Sequence, residues 1–296
     1  MNKYSNILGT LPEKTNIREY EKGKNTMKKI VAILLAVVLC VGLVACGASS
    51  APASSAPETK KIIMGTSADY PPFEFIVLND KNEQEYVGID ISVAKALAEG
   101  MGAELQVSNM DFDSLMAALQ KGDADIVLAA IEATPERMEA ADFSDPYYNP
   151  SSDDAAMVLV KKENADLYNS VEDFAGKSVG AQTGTTKAEL VSSDFTGANL
   201  VALTSVNELV NQLVYDKVDA IVLDGAVALQ YAQANEDLVV ANVDLGAALP
   251  YCVAVQKGDP KGLLESINAT IAQLLADNAI ETFAAEADAL SDQAIE

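Results

Sequence analysis

The sequence has no histidine and no tryptophan, only three cysteines, and little positive charge. The lack of histidine excludes catalytic triads with an imidazole base and most zinc sites. Three cysteines form neither a disulfide framework nor a four-cysteine metal site. Twenty basic residues against 44 acidic ones give a net charge of −24, which argues against binding to nucleic acid. We therefore expect no cofactor, no bound metal and no nucleic-acid partner.

The remaining composition is sufficient for folded cores. Apolar residues make up 49% of the 296 residues, which argues against global disorder. At roughly 100–200 residues a domain, this length corresponds to about two domains.

The N-terminal part is typical of a bacterial lipoprotein leader. Lys28 and Lys29 precede an apolar run of 16 residues at 30–45, which is short of the ~20 that span a bilayer. The sequence LVACG at 43–47 is similar to a lipobox, in which Cys46 is lipidated. We predict a mis-assigned start that adds 1–26, a leader at 27–45, and a lipidated cysteine with a flexible tether at 46–60.

Removal of the leader makes the chain more acidic. From Cys46 onward it carries 13 basic and 41 acidic residues, a net charge of −28. Anionic membranes repel such a surface, so the lipid is the expected anchor on the outer face of the cytoplasmic membrane. Cys252 is expected in the core, because no histidine is available to activate its thiol.

Residues 61–296 alternate strand-like and helix-like segments, which predicts an α/β fold with a largely parallel sheet. One pattern occurs twice at an offset of 94 residues. Leu115, Leu119, Asp125 and Val127 recur as Leu209, Leu213, Asp219 and Ile221. Each copy reads as a helix, a tight turn and an apolar strand. Since ligands bind at the carboxyl ends of such strands, two facing domains would place both following loops in one cleft.

Arg137 is the strongest candidate for ligand binding. It ends the motif TPER at 134–137, in which Thr caps a helix and Pro suits its first position. It is also the only arginine from Cys46 onward, against 12 lysines. A guanidinium binds a carboxylate through two hydrogen bonds. We interpret Arg137 as the partner of a ligand carboxylate, with a structural ion pair as the alternative.

Four further residues carry weaker signals. Thr185 and Thr186 follow a glycine between a predicted strand and helix, where an anion can bind, although such loops are also ordinary helix caps. Asp224 ends an apolar strand and suits either an ammonium group or a helix N-cap. Tyr70 lies in a proline-stiffened loop and is predicted to contact the ligand.

Together these elements resemble the family-3 extracellular solute-binding proteins of ABC amino-acid importers. The resemblance covers about residues 61–285. The matching stretches are 65–75, 87–90, 111–115, 122–137, 142–148, 176–186 and 218–224.

The resemblance implies a periplasmic-binding-protein-like type II fold, with two α/β lobes joined by two crossing strands and a ligand cleft between them. It implies lobe 1 at 61–156, lobe 2 at 157–247, and a return to lobe 1 at 248–296.

The resemblance also implies roles for individual residues. Arg137 would bind the α-carboxylate, aided by Thr185, Thr186 and the backbone around Ala130, and Asp224 would bind the α-ammonium. The remaining side chains would surround the ligand side chain, with an aromatic sandwich and polar lining formed by Tyr70, Phe112, Ser67 and Gln182.

Two positions depart from the family pattern. Glu132 stands where Ser or Thr is usual, and its carboxylate would repel the ligand unless it turns away or pairs with a cation. Ala129 replaces a common small hydroxyl residue. Ser67 points the other way, because family members for basic amino acids often have Asp there, and on balance we expect a polar or cationic amino acid.

The predicted function is therefore a monomeric, lipid-anchored, extracellular binding protein that delivers an amino acid to an ABC permease. It is not expected to be an enzyme. Two alternatives stay open: a dehydratase-like enzyme with Glu132 as a general acid, and a sensory module that presents its ligand to a separate receptor.

Overall fold

The computed structural model describes residues 60–150 and 155–294. The predicted extension at 1–26, the leader at 27–45 and the lipidated Cys46 lie outside the described residues, as does the tether up to residue 59.

The first part of the chain alternates strands and helices in the predicted order. Up to residue 143 the elements are β1 (Lys61–Thr66), β2 (Phe75–Leu78), β3 (Gln84–Val87), α1 (Ile89–Gly100), β4 (Glu104–Asn109), α2 (Leu115–Lys121), β5 (Ile126–Val127), α3 (Pro135–Ala140) and β6 (Ala141–Phe143).

The second part continues the alternation and ends in two helices. Its elements are β7 (Met157–Lys161), β8 (Ser178–Gln182), α4 (Thr186–Asp194), β9 (Asn199–Leu203), α5 (Val206–Val214), β10 (Ala220–Leu223), α6 (Gly225–Ala234), β11 (Leu238–Val240), β12 (Ala254–Gln256), α7 (Leu264–Ala276) and α8 (Ala279–Ser291).

Ten of these strands form two five-stranded sheets, one in each lobe, and β2 pairs with β3 in a two-stranded hairpin. The first has the order β4-β1-β5-β12-β6 and the second β11-β7-β10-β8-β9. The chain passes to the second sheet between Phe143 and Met157 and returns between Val240 and Ala254. The two-lobed α/β fold is thereby confirmed, and the residue boundaries of the lobes stay predictions.

The expectation of a largely parallel arrangement is wrong in part, because both sheets are mixed. β12 runs antiparallel to β5 and β6, and β7 runs antiparallel to β10 and β11. Each of these two strands is the first that the chain forms after it crosses from the other lobe. It enters its sheet from the cleft side, and so runs opposite to the strands whose carboxyl ends face the cleft.

The sequence repeat corresponds to one structural unit in each lobe. The Asp125 carboxylate accepts the Ile63 amide at 2.7 Å, and the Asp219 carboxylate accepts the Ser178 amide at 2.8 Å. Each aspartate thus ties the turn after its helix to the neighbouring parallel strand. The two loops that follow β5 and β10 are positioned by the same device.

The helices bury the faces that their sequence spacing predicts. In α1, Ile91, Ala94 and Leu97 are fully buried, as expected from their 3–4 residue spacing. In α5, Val206, Leu209 and Leu213 share a buried face. Cys252 is buried, as predicted. Within the described part of the chain, none of the helices has the length and apolar character needed to cross a bilayer.

Two glycines at corresponding positions of the repeat should differ in how much stability their substitution by alanine costs. Gly180→Ala should lower the free energy of unfolding by about 1–3 kcal/mol, because its Cβ would lie 2.8 Å from Leu209 Cδ2 and 2.9 Å from Ile221 Cγ2. Gly65→Ala, at the corresponding strand pair of lobe 1, meets its nearest atom at 3.3 Å and should cost less than about 1 kcal/mol. Urea unfolding of both variants measures the difference, and equal losses would contradict this account.

Candidate functional site

Loops that follow β1, β5, β8 and β10 meet between the two lobes. Because ligands of open α/β sheets bind at the carboxyl ends of strands, this is the candidate site. Its side chains enclose a cavity of about 10 Å³. The lining consists of Tyr70, Glu74, Phe112, Ala129, Ala130, Glu132, Gln182, Thr185, Lys187 and Asp224.

Most of the predicted ligand-binding residues are brought together here. Arg137 and Thr186 lie beside the cavity and contact Glu132. Ser67 is set apart, and its hydroxyl donates to Asp69 at 3.5 Å. The ligand roles stay predictions. The eight predicted residues in the lining itself are Tyr70, Phe112, Ala129, Ala130, Glu132, Gln182, Thr185 and Asp224.

Arg137 is held at the start of α3 by the predicted cap. The Thr134 hydroxyl accepts the Arg137 amide at 3.2 Å, and Pro135 is the first helical residue. The guanidinium donates to the Glu132 carboxylate at 2.8 Å and to the Gly184 carbonyl at 3.1 Å. Arg137 therefore joins a loop of lobe 1 to a loop of lobe 2.

Phe112 lies beneath this guanidinium, with 5.3 Å between the guanidinium carbon and the ring centroid. This is a cation–π distance. In this structure the ring therefore supports Arg137, whereas the resemblance assigns it to the ligand side chain.

Glu132 is buried, and its carboxylate has three hydrogen-bond partners. Its Oε2 accepts from Arg137, and its Oε1 accepts from Lys187 at 2.7 Å and from Thr186 at 2.8 Å. Burial alone would raise the pKa of Glu132, but the charges of Lys187 and Arg137 and these hydrogen bonds lower it to about 2. Glu132 is therefore ionised and paired with cations, one of the two possibilities that its unusual position left open.

Lys187 is a site residue that the sequence reasoning missed. It is the second residue of α4, and its buried ammonium bridges Glu132 and Asp224 Oδ1, the latter at 2.5 Å. Burial lowers the pKa of Lys187, but the two carboxylates raise it by more, so the ammonium stays charged. Its position directly after Thr185 and Thr186 was the available signal, since those residues were already assigned to the site.

Asp224 lies at one end of a series of paired charges whose other end is Arg137. It occupies the N-cap position of α6, yet its side chain makes no capping hydrogen bond. Its Oδ2 accepts the Tyr70 hydroxyl at 2.7 Å, while that hydroxyl accepts the Asp224 amide at 3.1 Å. Burial raises the pKa of Asp224, and Lys187 opposes this shift. Tyr70 thus binds Asp224 across the cleft.

Glu74 is the second residue that was missed. Its side chain is only 1% exposed, and its Oε2 has no hydrogen-bond partner among the described residues. Burial, together with the nearby Asp90, raises the pKa of Glu74 well above its ordinary value. An acidic residue inside the apolar run at 73–77 was the signal that could have identified it.

Asp90 shapes the loop that follows β5. Its carboxylate accepts the Ala130 amide at 2.8 Å and the Tyr147 hydroxyl at 2.7 Å. Ala130 has a φ of 44°, a left-handed conformation that disfavours a longer strand. β5 accordingly ends at Val127, before this residue. The Ala130 amide is also committed to Asp90 rather than to a ligand.

In the loop after β8, the predicted residues Thr185 and Gln182 form hydrogen bonds at the start of α4. The Thr185 hydroxyl accepts the Ala188 amide at 3.3 Å and donates to the Gln182 carbonyl at 2.7 Å. The Gln182 side chain donates to the Thr204 carbonyl at 2.9 Å. These bonds fix the direction in which the next two residues, including Lys187, enter the cleft.

The site contains the chemistry of ion recognition. Arg137, Glu132, Lys187 and Asp224 alternate in sign, and their four charges sum to zero.

Burial raises the pKa of the Cys252 thiol to about 11, so this cysteine is not a thiolate at neutral pH. Across residues 60–150 and 155–294 there is no group of three acidic or cysteine side chains placed to hold a metal.

A second contact between the lobes lies at Asp69. Its Oδ2 accepts the amide of Val206, the first residue of α5, at 2.7 Å. The Tyr231 hydroxyl donates to the Asp69 carbonyl at 3.3 Å. Burial raises the pKa of Asp69 from 3.8 to about 6, although its hydrogen bonds oppose the shift. A side chain of lobe 1 thus caps a helix of lobe 2.

Comparison with known proteins gives a family match over most of the chain. Residues 62–286 match the bacterial extracellular solute-binding proteins, family 3. The arginine-binding extracellular protein ArtP of Bacillus subtilis is 38% identical over 215 residues, which is 72% of this chain and 79% of that protein. The ABC transporter arginine-binding protein 1 of Escherichia coli is 34% identical over 228 residues, covering 75% and 88%.

Solved structures agree with this match. An amino acid ABC transporter substrate-binding protein of Streptococcus pneumoniae, solved with L-arginine bound, superimposes with a TM-score of 0.73 at 35% identity. The alignment covers 77% of this chain and 94% of that one.

Asp69→Asn should flatten the pH dependence of stability between about pH 4 and pH 6. The pKa of Asp69 is higher in the folded protein, at about 6, than its ordinary 3.8. The folded state therefore retains a proton that the unfolded chain has lost, and this stability is present below about pH 4 and lost as the pH rises through 6. In the variant, the slope of the free energy of unfolding against pH should change by up to about 1.4 kcal/mol per pH unit.

Urea unfolding between about pH 4 and pH 7 measures this slope. Asp142→Asn is the control, because a hydrogen bond from Lys257 lowers the pKa of Asp142 and moves its titration below the window. A slope that Asp69→Asn leaves unchanged would contradict the assignment.

Proposed function

The chain belongs to the bacterial extracellular solute-binding proteins of family 3, and we propose that it binds a free amino acid with a cationic side chain and delivers it to an ABC permease. One observation carries the proposal. Arg137 and Asp224 present opposite charges from opposite lobes at one buried cleft. This is the arrangement that an α-carboxylate and an α-ammonium require, and closure of the lobes would complete it.

The cationic side chain is inferred from Glu74. Glu74 lines the same cavity as Asp224, and its buried Oε2 has no hydrogen-bond partner among the described residues. A guanidinium or ammonium group would satisfy this oxygen and stabilise the ionised form of the carboxyl. The arginine-binding names of the two relatives, and the L-arginine bound to the S. pneumoniae protein, support arginine as the first ligand to test.

Binding requires the lobes to separate. A cavity of about 10 Å³ has room for about one water molecule, so an amino acid fits only when the cleft widens. The bonds that cross the cleft, from Tyr70 to Asp224 and from Arg137 to Gly184, break on opening. The ion pairs within each lobe, Arg137–Glu132 and Lys187–Asp224, stay in place.

The proposal includes the route to the membrane. A lipid on Cys46 would anchor the protein to the outer face of the cytoplasmic membrane, and the tether would let a monomer reach the transmembrane subunits of the permease. The strong negative charge of the chain gives the protein no electrostatic attraction to an anionic bilayer, which supports a lipid anchor.

The enzyme alternative is disfavoured by the electrostatics of Glu132. A general acid at neutral pH needs a raised pKa, whereas Lys187 and Arg137 lower the pKa of Glu132 to about 2. The relatives named above are binding proteins, which also favours binding over catalysis. A sensory role would use the same ligand site and differs only in the partner that reads it.

A thermal-shift panel of the twenty amino acids, ornithine and cystine tests the ligand class. Arginine, lysine or ornithine should stabilise the protein, because a ligand at ~100 times its Kd adds ~2.7 kcal/mol. Neutral amino acids should give smaller shifts. Stabilisation by acidic amino acids alone, or by none of the panel, would refute the proposal.

Glu74→Gln should weaken arginine binding by about tenfold to a hundredfold, the range for a hydrogen bond to a charged group. Affinity for a neutral amino acid should not change. Because the pKa of Glu74 is raised in the protein, pairing with a cation should release a proton, and wild-type affinity for arginine should increase with pH.

Calorimetric titration in two buffers of different ionisation enthalpy measures both the affinity and the proton release. The matched control is Glu85→Gln, an exposed position on β3 of the adjacent hairpin. Arginine affinity that Glu74→Gln leaves intact would remove Glu74 from the site.

A further inference from the structure

We propose that Glu132 and Lys187 act as an internal substitute for the ligand's own charges, so that an amino acid binds by exchange of ion pairs. The Glu132 carboxylate holds the place of the α-carboxylate at Arg137, and the Lys187 ammonium holds the place of the α-ammonium at Asp224. This inference rests on the proposed function and makes both residues determinants of affinity.

The first half of the exchange takes place at Arg137. Its Nη1 donates to Glu132 Oε2 at 2.8 Å, and its Nη2 donates to the Gly184 carbonyl. The side chains of Arg137 and Glu132 are only 10% and 6% exposed. A ligand carboxylate that binds this guanidinium therefore replaces a carboxylate that is already bound there.

The second half takes place at Asp224. Lys187 contacts Oδ1 at 2.5 Å and Tyr70 donates to Oδ2 at 2.7 Å, so both carboxylate oxygens have a donor. A ligand ammonium gains access to Asp224 only by displacing one of them. Lys187 is the donor that a ligand ammonium replaces, because its side chain also ends in a primary ammonium group.

The displaced groups remain paired with each other. Glu132 Oε1 and the Lys187 ammonium lie 2.7 Å apart, and Thr186 also donates to Oε1. A zwitterion therefore exchanges two ion pairs for two, and the net charge of the site stays constant. The binding free energy is the difference between two similar sets of contacts, because unpaired buried charges are strongly unfavourable in either state.

The double variant Glu132→Gln/Lys187→Met tests the exchange. It removes one charge of each sign, so Arg137 and Asp224 have no charged competitor inside the protein. Arginine should bind it at least tenfold more tightly than wild type by calorimetric titration. Equal or weaker affinity would overturn the proposal, since Glu132 or Lys187 would then assist binding.

The matched control is Asp142→Asn/Lys257→Met. It neutralises an ion pair of 2.8 Å that is partly exposed, with both partners outside the cavity lining. It changes the two charges in the same way and should leave arginine affinity within about twofold of wild type. Thermal unfolding checks that both double variants are folded.

A second experiment needs no variant. Agmatine is arginine without its α-carboxylate, so it displaces Lys187 but leaves Glu132 on Arg137. Under the exchange, wild type should bind agmatine within tenfold of arginine, because the arginine carboxylate only replaces an existing pair. A loss of tenfold or more would overturn the proposal even if the double variant did not fold.

The outcomes also separate this inference from the proposed function. If folded wild type binds no amino acid of the panel, the proposed function fails and the exchange fails with it. If wild type binds arginine, and the double variant binds it no better or agmatine binds tenfold more weakly, the exchange alone fails.

Discussion

The buried ion pair between Glu132 and Lys187 is the interaction on which the rest of the cleft depends. Neither charge is stable in a buried position without a partner. Glu132 is matched by Arg137 and Lys187, and Lys187 is matched by Asp224. The result is a chain of alternating charges whose ends are the two groups that a zwitterionic ligand requires. A site that satisfies its own charges in this way is an internal competitor of its ligand.

This pairing also relates the two lobes to each other. Glu132 and Arg137 belong to the first lobe, and Lys187 and Asp224 to the second, so the Glu132–Lys187 pair joins the two lobes. Hydrogen bonds across the same cleft follow the pattern, such as that from Tyr70 to Asp224. Opening of the cleft separates Glu132 from Lys187, and the cost of breaking this pair contributes to the affinity.

The architecture brings these loops together by repetition. Each lobe uses a helix, a turn held by an aspartate, and a strand whose end faces the cleft, with Asp125 in one lobe and Asp219 in the other. The strands that follow the two crossings, β7 and β12, run antiparallel to their neighbours in each sheet. Two similar units thus face each other with their strand ends opposed, which places the loop of Glu132 opposite that of Asp224.

The sequence by itself determined the features that depend on neighbours along the chain. Helix caps such as Thr134, buried helix faces and the repeated unit follow from spacing of 2 to 6 residues, and resemblance to a family supplied the two-lobed fold. Only the tertiary structure decided the partners of the buried charges. Lys187 belongs to the site, and Glu74 faces the cavity, because of groups far away in sequence, and no local pattern encodes such pairings. For the same reason the mixed direction of the sheets was missed, since it depends on where the chain crosses between lobes.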